Sequence, residues 1–308
     1  MSGFAIYNYN FLRIIRPNEE YQLEFPDWVK VNVQESFENR QQLLEELLLA
    51  DFEKPFPFEN ARKKPYWHIQ IVKPQDNVYV MRVANVTNVT ITDEHLLSQK
   101  YADYRNCLVI IDNRPGIQRI AIEQKTMAFS HTKTVANILE ASFCKLLKCK
   151  LLKVKLSAVY GTNVFWETLG KYPKGFSKVT FHFPHLNLDR LTKVMDKYLT
   201  TAREDWDSDL DFTFGANEGG AVKIDRNNQR QTALIAGASG AGAWIKMLPK
   251  GEKGKAILCG KDQYVVRELD SEVFNDLAIG AQPLPGMGQS AMDKVKVFMK
   301  DMPDVFTH

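Results

Sequence analysis

Long apolar runs, paired cysteine motifs and an excess of either charge are all missing from this 308-residue chain. No stretch approaches the roughly 18 consecutive apolar residues of a membrane-spanning helix, so no membrane partner is expected. The opening MSGFAIYNYNFLRIIRP carries no basic segment ahead of an apolar run, which speaks against a secretory leader and for the cytoplasm. The sequons Asn85-Val86-Thr87 and Asn88-Val89-Thr90 are then not expected to be glycosylated. Only four cysteines occur, Cys107, Cys144, Cys149 and Cys259, without a CxxC pair, so reduced thiols are expected rather than a zinc site. The six histidines form no HExxH, and Ser239 in GASGAG falls one residue short of a nucleophile elbow. With 40 basic and 37 acidic residues the net charge of +3 gives no general attraction for a polyanion, leaving only local patches to consider.

What is present describes an ordinary folded protein. Hydrophobic residues make up 44% of the chain and charged residues 25%, enough apolar surface to offset the entropy of ordering. Strand-like alternation dominates the first 130 residues: Phe4 to Ile15, a hairpin of Tyr66 to Val72 and Asn77 to Val89 around KPQDN, then Cys107 to Ile111 and Ile117 to Lys125 around DNRPG. Helices are expected from Ser36 to Phe52, with Ser36 as cap, from Thr92 to Lys100, and from Thr132 to Leu147. Beyond residue 131 strands and helices alternate: strands at Leu152–Val159, Lys178–Phe183, Leu210–Phe214 and Ala243–Leu248, helices at Val164–Leu169, Leu188–Arg203 and Asn228–Ala238. A last hairpin is expected around Gly260, followed by a linker at Gly280–Gln289 and a helix at Ala291–Lys300. The expected fold is therefore mixed α+β. An antiparallel-sheet domain over residues 1–130 precedes an α/β sandwich over 131–279, possible in a ferredoxin-like form, and residues 280–308 form a linker and C-terminal helix or tail.

The glycine-rich stretch QRQTALIAGASGAGAWIKMLPKG, from Gln229 to Gly251, poses a question of phosphate binding. Phosphate loops run from a strand into a helix, where backbone N–H groups meet the positive end of the dipole. Here the helix-like part comes first, and the spacing fits neither GxxxxGK[ST] nor GxGxxG, so helix termination is the expected role.

Two constellations carry chemistry. In IAIEQK, from Ile120 to Lys125, an apolar strand ends in Glu-x-Lys, with both side chains on one strand face. This resembles the strand of the PD-(D/E)xK nucleases. The resemblance implies a metal-dependent nuclease with Glu123 as a metal ligand, Lys125 positioning the attacking water and Mg²⁺ or Mn²⁺ as cofactor. Pairing outward from DNRPG sets Ile111 by Gln118 and Asn106 by Glu123. Asp112 then lies roughly 17 Å away, and Asp103 becomes the candidate second carboxylate. The second constellation is basic. Lys145, Lys148, Lys150, Lys153 and Lys155 recur in CKLLKCKLLKVK, and Lys171, Lys174 and Lys178 surround Tyr172 and Phe176 in KYPKGFSK. Lysines among aromatics suit a phosphate backbone with stacked bases, whether DNA or RNA. The acidic run REDWDSDLDF, with Asp209 and Asp211 on one strand face, lacks a calcium-loop pattern and reads as a solvated turn.

Three functions are therefore expected in descending order: a nucleic-acid-binding or interaction protein without catalysis and with no cofactor, a metal-dependent nuclease, and a structural subunit with protein partners or copies of itself. Bacterial antiviral defence or a mobile element would suit such a chain, although no residue specifies either.

Overall fold

The computed structural model describes residues 2–14, 20–22, 30–92, 94–183, 210–241, 243–252, 256–259, 264–270, 273 and 287–300. Within them the chain is an α+β protein, mostly antiparallel sheet with few helices. It divides into two compact units that interleave along the sequence. The first comprises Met1–Ala5, Arg13–Val154 and Val266–Lys300, the second Ile6–Leu12 and Lys155–Val265.

The elements of the first half are β1 (Ser2–Arg13), β2 (Glu20–Gln22), β3 (Lys30–Asn32), α1 (Val33–Glu38), α2 (Arg40–Glu53), β4 (Phe58–Glu59), β5 (Pro65–Gln70), β6 (Val78–Thr92), β7 (Ser98–Asp112), β8 (Arg119–Glu123) and α3 (Thr132–Leu147). They are followed by β9 (Leu152–Ala158), α4 (Thr162–Gly170), β10 (Phe176–Phe183), β11 (Leu210–Gly215), α5 (Gln229–Ala241), β12 (Trp244–Pro249), β13 (Ile257–Cys259), β14 (Val266–Leu269) and α6 (Met287–Lys300). The larger sheet runs β14-β1-β8-β7-β6-β5-β4, with β9 also on β1.

Several expectations meet their elements and several are corrected. The helix expected over 132–147 is α3, with Val135, Ile138, Leu139, Ser142 and Phe143 buried as its stripe required. The helix expected from Ser36 is two helices broken at Asn39, and the cap is Asn32, whose side chain accepts from the Glu35 N–H. Among the described residues of 92–100 no helix forms. Instead β6 and β7 are each 15 residues long and pair from Val78↔Asp112 to Thr92↔Ser98, because β-branched NVTNVTIT finds a partner of matching alternation in SQKYADYRN. The turn into β6 is a two-residue connection, Asp76 and Asn77 both left-handed at φ 48° and 59°, residue types that tolerate that conformation. Gly260 lies outside the described residues, and the described strands on either side pair elsewhere: β13 with β12 and β14 with β1. The helix expected over 188–203 lies outside the described residues.

Two buried polar groups organise the first unit. Asp51, at the end of α2, receives His68 Nε2 at 2.7 Å and the Phe56 N–H at 3.1 Å, while the His68 ring stacks on Phe58 at 3.7 Å. This ties α2, the proline-rich loop after it and β5 together. At the β7–β8 turn the Asp112 carboxylate is fully buried and takes Arg114 through Nε at 3.0 Å and Nη2 at 2.6 Å, together with the Arg114 backbone N–H. The same hydrogen bonds raise the guanidinium pKa above its ordinary value. Arg114 also donates to the Lys296 carbonyl, and Arg119 to that of Met299, so two cations meet the negative end of α6. Beneath them Phe4 packs edge-on against Phe298 at 5.7 Å.

In the second unit the sheet order is β11-β10-β12-β13. One face carries Val179, Phe181, Phe183, Ile245 and Met247, packed with Phe165 of α4 and Ile235 and Ala238 of α5. A ferredoxin-like order is not confirmed by this arrangement.

Arg114→Ala is expected to lower unfolding free energy by about 3–5 kcal/mol, since it strands a buried carboxylate. Urea denaturation measures this, and a loss below about 1 kcal/mol would show that Asp112 is satisfied without the guanidinium.

Candidate nucleic-acid interface

The acidic constellation comes apart in the sheet. Six residues, Asn113 to Gln118, connect β7 to β8, because Gly116 and Gln118 both turn left-handed at φ 74° and 41° before pairing resumes at Asp112↔Arg119. The register is thus shifted by two residues from the expected one. Val109 faces Ile122, so Glu123 falls opposite Leu108, and its Oε2 accepts the Leu108 N–H at 2.9 Å. Asp103 lies five residues further along β7, roughly 17 Å away at strand rise. Its carboxylate is held instead by Arg105 Nε at 2.7 Å. Lys125 is exposed just past the strand end. The structure does not bring Asp103 to Glu123, and among the described residues no group of three His, Cys, Asp or Glu side chains could hold a metal.

The glycine stretch follows the expected order, helix α5 and then strand β12. The helix runs on to Ala241, further than expected, because Ala and Ser fill the buried positions. Ser239 is fully buried and bonds back to the Ile235 carbonyl at 2.8 Å. The carbonyls near the helix end are taken within the protein: Gly240 by Asn8 Nδ2 at 2.6 Å and Ala238 by the Ala243 N–H at 3.0 Å. The negative end of the helix is therefore turned to protein donors, and no phosphate cradle results.

Of the acidic run, Glu204, Asp205, Asp207 and Asp209 lie outside the described residues. Asp211 is bound to His182 Nδ1 at 2.5 Å, and the His182 ring stacks on Trp244 at 4.4 Å.

The lysines sort by their neighbours. Lys145 is committed to Glu59 at 2.8 Å and is not available as a free cation. Lys148 and Lys150 stand exposed in a 3-10 turn at the end of α3. Lys153 and Lys155 share the exposed face of β9, whose alternate residues Leu152, Val154 and Leu156 are buried. Lys171, Lys174 and Lys178 are exposed in the second unit. Lys148, Lys150, Lys153, Lys171, Lys174 and Lys178 make no ion pair among the described residues. Of the aromatic residues beside the last three, one is fully buried and the other half-buried. Phe176 is fully buried and Tyr172 packs against it at 5.4 Å, both serving the core.

Sequence reasoning missed two members of this corner. The Lys250 N–H donates to the Gly175 carbonyl at 2.9 Å, and the Val222 N–H to that of Phe176 at 2.8 Å, so Lys250 and Lys223 arrive beside Lys174 and Lys178. Both are exposed and without an acidic partner among the described residues. Separations of 49 and 76 residues from Lys174 concealed them. Gly175, left-handed at φ 71°, makes the turn that this convergence requires.

A small apolar cavity of about 80 Å³ between Phe165, Val179, Phe181 and Leu234 is well below the usual volume of a small-molecule site. No protein-family model matches the chain, and no curated protein matches it.

The thiols are graded by burial. Burial, and then the nearby Glu123 carboxylate, push the Cys107 thiol up to about 12, and burial also raises Cys259. Cys149 is exposed. In a thiol titration at pH 8, Cys149 is expected to react first, with Cys107 and Cys259 silent until the protein unfolds. Because the folded Cys107 pKa is raised, its contribution to stability is present below the unfolded thiol pKa and lost as pH rises toward 12. Early labelling of Cys107, located by peptide mass, would contradict this grading.

Proposed function

We propose that the protein binds the phosphate backbone of nucleic acid without catalysis, through the basic corner of the second unit. A single observation carries the reading: four exposed lysines, Lys174, Lys178, Lys223 and Lys250, are gathered from distant parts of the chain by backbone hydrogen bonds and have no acidic partner among the described residues. Like charges assembled on one corner repel each other, and a bound polyanion relieves that cost. Lys148, Lys150 and Lys153 form a second exposed group, within the first unit. The packing of α4 and α5 on one sheet face supports an α/β sandwich as the platform of the second unit. With Phe176 buried and Phe214 44% exposed beside Lys178, contact is chiefly with phosphates, and only a weak base preference is expected.

Fluorescence anisotropy with labelled single- and double-stranded DNA and RNA across a salt series tests this. The logarithm of the binding constant should fall linearly with the logarithm of salt concentration. Replacing Lys174, Lys178 and Lys250 by Glu should flatten that slope by roughly 2 to 3 for a duplex. Binding that ignores salt, or a slope unmoved by the triple variant, would overturn the proposal.

A further inference from the structure

The β6–β7 hairpin is longer than the strands beside it. On one side β5 pairs with β6 no further than Trp67↔Ala84, and on the other the pairing of β8 with β7 ends at Val109↔Ile122. From Asn85 to Thr92, β6 has β7 as its only strand neighbour among the described residues. The Ile71 N–H donates to the Val80 carbonyl at 3.0 Å, which fixes the direction of the backbone groups. N–H and C=O groups alternate sides along a strand, so those of Val86, Asn88, Thr90 and Thr92 point outward with no strand to receive them.

Natural edges of this kind are ordinarily blunted by charge, proline or a bulge. The edge of β7 follows that practice, with Lys100, Asp103 and Arg105. That of β6 does not. From Ala84 to Thr92 it reads ANVTNVTIT, uncharged, free of proline and rich in β-branched residues. Such an edge invites an added strand, and its neutrality bears on the occupant. In an antiparallel pair about a two-fold axis residue i meets residue j and j meets i, so a homotypic edge requires that no like charges fall opposite each other, and this stretch carries none.

We propose that the β6 edge from Val86 to Thr92 pairs antiparallel with the same edge of a second copy of this chain, about a two-fold axis at Val89. This register is the one that uses the whole free stretch. It sets Asn88 against Thr90 and Val86 against Thr92 as hydrogen-bonded pairs, with Val89 against Val89 and Thr87 against Ile91 between them. The ends are complementary as well. Lys64 Nζ lies 3.4 Å from Asn85 Oδ1 at the root of the edge, and the register brings Glu94, with a side chain 89% exposed, to that level of the partner subunit. Each dimer thus gains two opposite-charge contacts. Leu96, 84% exposed at the hairpin tip, comes to the level of Trp67 of the partner subunit, itself 63% exposed.

The experiment combines crosslinking with charge reversal in the full chain, with Cys149→Ser removing the exposed thiol. Directly opposed residues of a non-hydrogen-bonded antiparallel pair lie about 4.5 Å apart at Cα, within disulfide reach. Mild oxidation should therefore link Val89→Cys into a covalent dimer, while Gln99→Cys on the β7 edge stays monomeric. By sedimentation the unmodified chain should dimerise. Lys64→Glu and Glu94→Lys should each weaken the dimer about tenfold, and the double reversal should restore it. Circular dichroism establishes that each variant is folded, and Asn88→Pro, which removes one outward N–H and leaves the β6–β7 ladder intact, should give a folded monomer. A monomeric unmodified chain, equal crosslinking at both cysteines, or failure of the double reversal to restore what the single reversals lose would overturn the proposal.

Discussion

The Asp112–Arg114 ion pair is the constraint on which the first unit turns. A buried carboxylate is costly unless it is paired, and the bend directly after β7 delivers the Arg114 guanidinium to both oxygens of Asp112 and the Arg114 backbone N–H to one of them. That bend lengthens the connection to six residues and sets the Asp112↔Arg119 register. The same guanidinium, with that of Arg119, receives the end of α6, so a helix some 180 residues away in sequence is docked by the turn that aligns the strands. Strand pairing and helix docking therefore meet at one turn, where the buried charge of Asp112 and the left-handed Gly116 and Gln118 both act.

This explains how unevenly the sequence could be read. Periodicity within an element was legible: the stripe of α3, the alternation of β9 and the helix-then-strand order around Gly237 to Gly240 all follow from spacing over a few residues. What was not legible depended on distant groups. DNRPG announces a turn, but its length rests on Gly116 and Gln118 adopting left-handed backbone, and Gln118 carries no cue for that conformation. A two-residue error there separates Glu123 from Asp103. The hairpin over 85–105 was hidden for a related reason. His95-Leu96-Leu97 reads as the start of a helix until β6 supplies the partner that makes SQKYADYRN a strand.

The candidate interface shows the same division. Lys174 and Lys178 stood out in the sequence because they lie close together in it. Lys223 and Lys250 did not, because backbone hydrogen bonds to Phe176 and Gly175 bring them in from 49 to 76 residues away. Composition gave no hint, since a net charge of +3 is a sum over the whole chain and says nothing of which lysines are ion-paired. Lys145 makes the converse point: conspicuous in a basic run, it is neutralised by Glu59 on a neighbouring element.

Charge placement also separates the two edges of the long hairpin, and the contrast bears on what each edge is for. Both strands project past their neighbours, so both expose backbone donors and acceptors to the same solvent. If solubility alone governed them, both would carry gatekeeping charges, because an unguarded edge of seven residues is a liability to any protein at cellular concentration. Only β7 is guarded. β6 instead offers valine, threonine and asparagine, and it has opposite charges near its two ends, Lys64 at the root and Glu94 at the tip. A neutral centre flanked by opposite charges is self-complementary under a two-fold rotation and under no translation. An edge with that symmetry limits its own association at two chains, which lets it remain open without leading to fibres.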